Sequence, residues 1–185
     1  MTVADEAFFP PGAVSPIEQD CYGRHLSAMR EPVLKPNQTD DTTFAFRIMY
    51  LPTWGHPVSV RYWSNGTNYF RRRVMLSGSG GYDPGVIKKE SQIEVDKQEI
   101  DQVLASLEKI QFWKLATKDN VSGLDGSQLV LEGIRREKYK LVVRWTPEHE
   151  SNARGLKATV DFYRELFDRV GLVDSSEVTK SDQTK

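Results

Sequence analysis

The sequence predicts an α+β fold with a mainly antiparallel sheet of about six strands and helices packed on one face. Three observations carry this prediction. Strand-like segments follow one another as hairpins, other segments carry apolar stripes at helical spacing, and the alternating βαβ order of parallel sheets does not occur. With 185 residues, of which 38% are hydrophobic and 10% aromatic, the chain can build one core of ordinary size.

Composition divides the chain into three parts. Residues 1–16 hold three prolines without a periodic pattern and are expected to form an N-terminal arm, which Phe8 and Phe9 anchor to the body. Residues 17–172 are predicted to form a single α+β domain, because they contain neither a low-complexity linker nor an internal repeat. Residues 173–185 are polar and are predicted to form a disordered tail.

The first helix is predicted over residues 17–30. Its apolar positions recur at helical spacing and predict a buried face of Ile17, Cys21 or Tyr22, His25, Leu26 and Met29. Pro32 ends this helix, because proline disfavours helical backbone in the residue before it.

Four strands are predicted next, over residues 42–51, 58–63, 69–76 and 86–95. The first alternates, so that one side carries Phe44, Phe46, Ile48 and Tyr50. Asn65-Gly66 lies between the second and third strands and predicts a hairpin, since both residue types tolerate positive φ.

The second half of the chain predicts a helix, a hairpin and a closing helix. The helix over 97–111 has an apolar stripe, with Asp96 as its N-cap. The hairpin pairs 127–134 with 138–145. The last helix spans about 153–171, and Gly171 can end it.

Charge and cysteine content exclude several function classes. The 25 basic and 26 acidic residues leave a net charge of −1, which gives no overall attraction to nucleic acid or to an anionic membrane. A mean hydropathy of −0.53 and the lack of a long apolar run argue against a transmembrane helix. The single cysteine, Cys21, excludes an internal disulfide and any thiolate-bound metal cluster.

Basic residues nevertheless concentrate locally. Residues 61–95 and 135–144 together hold 11 basic and four acidic residues. With the aromatic residues nearby, such a region could bind nucleic acid. Charges that protect the edges of a sheet from aggregation are the simpler interpretation, and we favour it.

Catalytic motifs are missing from the sequence. The three histidines, His25, His56 and His149, show no metal-ligand spacing, and no GxSxG motif occurs. Cys21 and His25 could share a helix face, but a lone helical cysteine is typical of a small buried side chain. We therefore predict no catalytic residues, no metal site, no cofactor and no enzymatic activity.

Loops rich in aromatic, charged and glycine residues are the better candidates for function. The segment from Leu76 to Gly85 could present Tyr82 and Asp83 to a partner, although a plain strand connector is the simpler interpretation. The predicted binding surface consists of Trp54, His56, Arg61, Tyr82, Asp83 and Arg144.

Four stretches together resemble a family of uncharacterised bacterial proteins. They are Arg24-His25-Leu26 with Met29 and Glu31-Pro32; Tyr50-Leu51-Pro52 with His56-Pro57-Val58-Ser59-Val60-Arg61; Gly80-Gly81-Tyr82-Asp83-Pro84-Gly85; and Gly123-Leu124-Asp125-Gly126-Ser127-Gln128 with Leu131-Glu132-Gly133, Tyr139 and Arg144-Trp145-Thr146-Pro147. The resemblance implies kinship over about residues 20–171. Because the family has no established function, no catalytic residues can be carried over from it. Its members often look exported, with an apolar leader that this chain lacks. We therefore expect a cytoplasmic protein, with a periplasmic one as the alternative.

Three hypotheses for the function follow. The favoured one is a non-catalytic protein that binds another protein, in the manner of an immunity or inhibitor protein; the order of elements also looks like that of small bacterial envelope and immunity-type domains. The second is a module that binds a small molecule or an envelope glycan, in which sugars stack on Trp54, Trp63 and Trp145. The third is an enzyme whose site combines His56, Asp83 and Asp125.

The turn over residues 123–128 yields a further structural expectation. Two glycines bracket Leu124-Asp125, and aspartate commonly accepts hydrogen bonds from nearby backbone in such turns. We expect Leu124 to pack inward and Asp125 to accept backbone N–H groups that hold the turn.

Overall fold

The computed structural model describes residues 7–34, 44–123 and 125–172. They form one six-stranded sheet in the order β4-β3-β2-β1-β5-β6, in which all neighbours pair antiparallel. In chain order the elements are α1 (Pro16–Ala28), β1 (Phe44–Leu51), β2 (Val58–Ser64), β3 (Tyr69–Leu76), β4 (Ile87–Val95), α2 (Lys97–Lys109), a short 3-10 helix (Phe112–Lys114), β5 (Gln128–Arg135), β6 (Lys138–Trp145) and α3 (Lys157–Arg169).

This architecture confirms the predicted α+β class and the antiparallel six-stranded sheet. The strand boundaries differ from the predicted ones by one or two residues at most. The last helix starts about one turn later than predicted, because Gly155 adopts a positive φ of 66° that a right-handed helix cannot include. Gly171, at φ 68°, follows the end of α3 as predicted.

The helices lie on both faces of the sheet. The helices α2 and α3 share one face with the side chains predicted to point inward from β1, Phe44, Phe46 and Ile48. The helix α1 packs on the opposite face, against Met49 and Leu51 of the same strand. The prediction of helices on one face therefore holds for α2 and α3 and is wrong for α1, because β1 buries both of its faces.

The helix α1 is fixed at both ends. Ser15 and Glu18 form a complete capping box, in which each side chain bonds the backbone N–H of the other residue. At the other end the N–H of Glu31 donates to the carbonyl of Leu26 at 2.9 Å, and Arg30 takes the left-handed conformation that this termination requires. This geometry turns Glu31 back over the sheet.

The predicted anchors and buried face of α1 are correct with one exception. Phe9 is buried and contacts Tyr22 edge to face, so the arm is anchored as expected. Ile17 was predicted to be buried, but 82% of it is exposed, because it lies in the first turn outside the contact with the sheet. The predicted tail over 173–185 and the inward packing of Leu124 lie outside the described residues.

Candidate functional site

Two loops at one end of the sheet pack against each other. The loop 52–57 joins β1 to β2, and the loop 77–86 joins β3 to β4. The N–H of Gly80 donates to the carbonyl of Gly55 at 3.2 Å. A Cβ atom at Gly80 would lie 2.6 Å from the carbonyl oxygen of Pro52, so only glycine permits this close approach.

Hydrogen bonds within the loop 77–86 make it a small hairpin of its own. The N–H of Ser77 donates to the carbonyl of Val86 at 2.8 Å, and the N–H of Ser79 donates to the carbonyl of Asp83 at 2.8 Å. The carboxylate of Asp83 accepts the N–H of Gly85 at 2.9 Å. Asp83, one of the predicted site residues, therefore stabilises the loop with its side chain, as is typical of aspartate in turns.

The two loops present a pair of exposed aromatic rings. Trp54 is 82% exposed and Tyr82 is 58% exposed, and their ring centroids lie 6.4 Å apart. We call this pair the aromatic surface. An exposed pair of large aromatic side chains on braced loops is a candidate surface for contact with another molecule.

His56 lies beside the aromatic surface and is held from two sides. Its Nδ1 lies 3.2 Å from the carbonyl oxygen of Gly78, and its Nε2 lies 2.9 Å from Nζ of Lys88. If Nδ1–H donates to the carbonyl, Nε2 accepts from the Lys88 ammonium. Lys88 reaches His56 because the β3–β4 pairing shifts register here, so that Leu76 faces Ile87 while Met75 faces Lys89.

His25 belongs to α1, lies beneath the loop 77–86 and is completely buried. Its Nδ1 is 2.7 Å from the carbonyl oxygen of Cys21, whereas Nε2 has no hydrogen-bond partner among the described residues. Burial lowers the pKa of His25, and Arg24 adds to this effect; the hydrogen bond to the Cys21 carbonyl opposes it most, followed by the charge of Asp83. Since His25 contacts the backbone of Cys21, and burial raises the pKa of the thiol, the two do not form an activated Cys–His pair.

Arg61, another predicted site residue, does not join the aromatic surface. It belongs to a row of three arginines that lie directly opposite one another on neighbouring strands, Arg47 on β1, Arg61 on β2 and Arg72 on β3. The row lies on the α1 face and its side chains are 12% exposed or less.

Acidic residues neutralise this arginine row from both sides. Glu31 places its carboxylate among all three guanidinium groups: 2.7 Å from Nε of Arg61, 3.5 Å from Nη1 of Arg47, and in a short contact with Arg72. Glu132 on β5 lies opposite Arg47 and accepts a hydrogen bond from it. The row is therefore an internally paired cluster rather than an open anion site.

Arg144 is also buried rather than exposed. On β6 its guanidinium donates to the carbonyls of Ala116 at 2.9 Å and Thr117 at 3.1 Å. Burial lowers its pKa, and Asp119 opposes that shift. Arg144 holds a neighbouring segment against the sheet and has no described path to the aromatic surface.

The structure brings together four of the six predicted binding residues, Trp54, His56, Tyr82 and Asp83, and separates Arg61 and Arg144 from them. It also disperses the basic region, because Arg72 and Arg144 are buried, the side chain of Arg61 is 12% exposed, and Arg71 pairs with Glu99 at 2.6 Å. This dispersal weakens the nucleic-acid alternative further.

The tryptophans proposed to bind sugars do not form one platform. Trp63 stacks on Phe70 with Arg61 over its ring, and Trp145 is closely approached by Gly123 and Gly126. Trp54 is the one of the three that is largely exposed.

The enzyme hypothesis gains no geometric support. His56 bonds to Gly78 and Lys88, and Asp83 bonds to its own loop. Asp125 is exposed, and the turn that it was predicted to hold includes Leu124, which lies outside the described residues, so its holding role stays a prediction.

Sequence reasoning missed a second polar cluster at this end of the sheet. The Glu148 carboxylate accepts from the hydroxyl of Tyr50 at 2.9 Å and from that of Tyr163, and the two rings stack at 5.3 Å. Burial raises the pKa of both tyrosines, so they remain protonated donors. Tyr50 was recognised only as an inward-facing strand residue, and no local spacing links it to Glu148.

Comparison with known proteins gives no assignment: no protein-family model and no curated protein matches the chain. The resemblance to the bacterial family described above therefore stays a prediction. Within the described ranges, no helix is both long and apolar enough to cross a membrane. Those ranges also contain no group of three or more histidine, cysteine, aspartate or glutamate side chains placed to hold a metal ion.

Proposed function

We propose that this protein is a non-catalytic interaction protein that binds another protein through the aromatic surface of Trp54 and Tyr82. The exposure of both rings on two mutually braced loops is the observation that supports it. Tryptophan and tyrosine are enriched among the residues that dominate binding energy at protein interfaces. Rigid presentation lowers the entropy lost on binding, and here the bonds between Gly80 and Gly55 and within the loop 77–86 supply that rigidity.

The most specific form of the proposal is an immunity or inhibitor protein that places these loops in the active site of its partner. Two features support it: the predicted likeness in layout to immunity-type domains, and a projecting aromatic pair flanked by the Lys88–His56 contact. The partner's site would then have an apolar cleft with a polar rim, because the aromatic pair itself has polar neighbours on one side.

A capture experiment with matched variants tests the proposal. The wild-type chain, the double variant Trp54→Ala/Tyr82→Ala and the control Ile17→Ala are immobilised and exposed to lysate of the source cell. Ile17 is as exposed as Trp54 but lies in the first turn of α1. We expect a protein retained by wild type and control to be lost from the double variant, with affinity for the purified partner falling at least about 30-fold.

A different outcome of the capture experiment would contradict the proposal. If no specific protein is retained and a bound metabolite copurifies instead, the protein-binding proposal is wrong. A thermal-shift response to a glycan that disappears in Trp54→Ala would then favour the glycan-binding alternative, for which the exposed Trp54 ring is the supporting feature.

A further inference from the structure

The loop 77–86, which carries Tyr82, is held by a histidine that fits its place only without charge. Nδ1 of His56 lies 3.2 Å from the carbonyl oxygen of Gly78, and Nε2 lies 2.9 Å from Nζ of Lys88. A carbonyl oxygen can only accept and an ammonium can only donate, so Nδ1 carries the ring proton and Nε2 is bare. Protonation of Nε2 would set an N–H against the Lys88 ammonium and two positive charges side by side. The link from Gly78 through His56 to Lys88 therefore requires a neutral imidazole.

A second histidine meets the same loop from α1. His25 is completely buried, and its Nδ1–H donates to the carbonyl of Cys21 at 2.7 Å, so Nε2 is bare and has no hydrogen-bond partner among the described residues. Burial lowers the pKa of His25, and the nearby Arg24 adds to this effect. The hydrogen bond to Cys21 opposes it most, and Asp83 and the backbone of Ser79, both in the loop, follow. Because burial outweighs these groups, the ring is also held neutral in its place.

Apart from the histidines, backbone hydrogen bonds hold the loop. The N–H of Gly80 donates to the carbonyl of Gly55, and the N–H of Ser77 donates to the carbonyl of Val86. Backbone amides and carbonyls carry no charge near neutral pH, so these bonds keep their strength when acid is added. Histidine takes up a proton in this range. The contacts of the two histidines are therefore the ones that mild acid can weaken.

We propose that mild acid loosens the loop 77–86, so that the aromatic surface binds its protein partner near neutral pH and releases it at lower pH. This inference rests on the proposed function, because it concerns the regulation of the same surface. A proton favours the state in which it is hydrated, so protonation of either ring shifts the population toward loops detached from that ring. A detached loop no longer holds Tyr82 beside Trp54, and binding must then include the entropy cost of ordering it.

Amide hydrogen exchange measures the loop without any partner. Exchange of the wild-type chain is followed at about pH 7.5 and about pH 5.5, and each rate is divided by the rate of the unstructured chain at that pH. The peptide of α2 (Lys97–Lys109) reports global opening and serves as the internal reference. Relative to it, protection of the loop 77–86 should fall at least about tenfold at the lower pH, because one proton bound only in the open state changes its population by up to about tenfold per pH unit.

Two substitutions separate the contributions of the histidines. In Lys88→Gln the side-chain amide can accept from protonated His56 as well as donate to the neutral ring, so the loop should lose part of its acid response. His25→Leu removes the buried bare nitrogen, and its loop should also respond less to acid than that of wild type. His149→Leu, at an exposed histidine, is measured beside them as the matched control.

Capture from lysate at the two pH values extends the test to binding. A protein that wild type retains near neutral pH should be released at about pH 5.5, and less of it should be released from Lys88→Gln and His25→Leu. The comparison between variants removes the titration of the partner itself.

The outcomes distinguish this inference from the proposed function. Loop protection that does not change with pH overturns the inference and leaves the aromatic surface as proposed, and so does an acid response that is equal in wild type and both variants. If the loop responds to acid but wild type captures no protein near neutral pH, the proposed function is wrong. The release of a partner is then wrong with it, while the loosening of the loop is confirmed.

Discussion

The two faces of the sheet bury their side chains by different physical means. Aliphatic and aromatic residues fill the face toward α2 and α3, whereas the centre of the α1 face holds the arginine row with Glu31 and Glu132. When an apolar side chain is truncated, the loss of stability grows with the size of the cavity left behind. A buried charge that loses its partner is strongly destabilising, because the remaining charge is left uncompensated. The α1 face therefore depends on single residues far more than the opposite face does.

Glu31→Ala should cause the largest loss of stability among these variants, and this loss would distinguish the α1 face from the apolar face. It would leave Arg61 and Arg72 with one acidic partner fewer in a site closed to water, so we expect the free energy of unfolding to fall by about 3–5 kcal/mol. Urea denaturation followed by tryptophan fluorescence measures this change.

Two further measurements help to interpret the stability loss of Glu31→Ala. Asp101→Ala breaks the exposed pair with Lys97, which is screened by solvent, and should leave the free energy of unfolding nearly unchanged. Sulfate should raise the melting temperature of Glu31→Ala more than that of wild type, since it can occupy the vacated place among the guanidinium groups. A loss below about 1 kcal/mol for Glu31→Ala would show that the row does not need this carboxylate.

Neighbouring residues of β1 allow a direct comparison of the two faces. Arg47→Lys keeps the charge but cannot reach both Glu132 and the carbonyl of Pro32, which Arg47 contacts with different nitrogens. We expect it to cost about 1.5–3 kcal/mol. Ile48→Val removes one methylene from the apolar face and should cost about 0.5–1.5 kcal/mol.

Both variants are measured by the same denaturation assay. Which of the two loses more free energy of unfolding matters more than either value. If Ile48→Val costs as much as Arg47→Lys, the apolar face is as sensitive to single residues as the ionic one. The contrast between the faces would then be one of composition alone.

The arginine row could not be predicted from the sequence, and the reason is physical. Arg47, Arg61 and Arg72 lie on three strands, and only the pairing register places them in one row. Alternation in β1 pointed Phe46 and Ile48 inward and left Arg47 on the side assumed to face water. Glu31 was noted at the end of a helix and within a family motif, and nothing in the sequence linked it to the arginines.

One signal of the second core was present in the strands. Met49 and Leu51 of β1 and Val130 of β5 also make the opposite face apolar. A strand that is apolar on both sides needs cover on both sides, which α1 supplies. Arg61 and Arg144 were also predicted to lie on the binding surface, but they belong to strands and their side chains are 12% and 4% exposed. Trp54 and Tyr82 lie in loops and are exposed.

His25 offers the smallest and most selective test of the α1 face, through pH. An unfolded histidine binds a proton near pH 6.5, whereas burial lowers the pKa of folded His25. The contribution of His25 to the free energy of unfolding is therefore fully present above about pH 6.5. It falls as the pH drops toward the folded pKa, by at most about 1.4 kcal/mol per pH unit. Arg24 favours this loss, and Asp83 with the carbonyl of Cys21 reduces it.

The contribution of His25 appears as a difference between pH profiles, which removes the titration of the carboxylates shared by both chains. We expect the profile of His25→Leu between pH 7 and pH 5 to be flatter than that of wild type, whatever its absolute stability. His149→Leu, at an exposed histidine, is measured beside it as the matched control. Parallel profiles for wild type and His25→Leu would mean that the loop 77–86 opens enough to hydrate the ring before it takes up its proton.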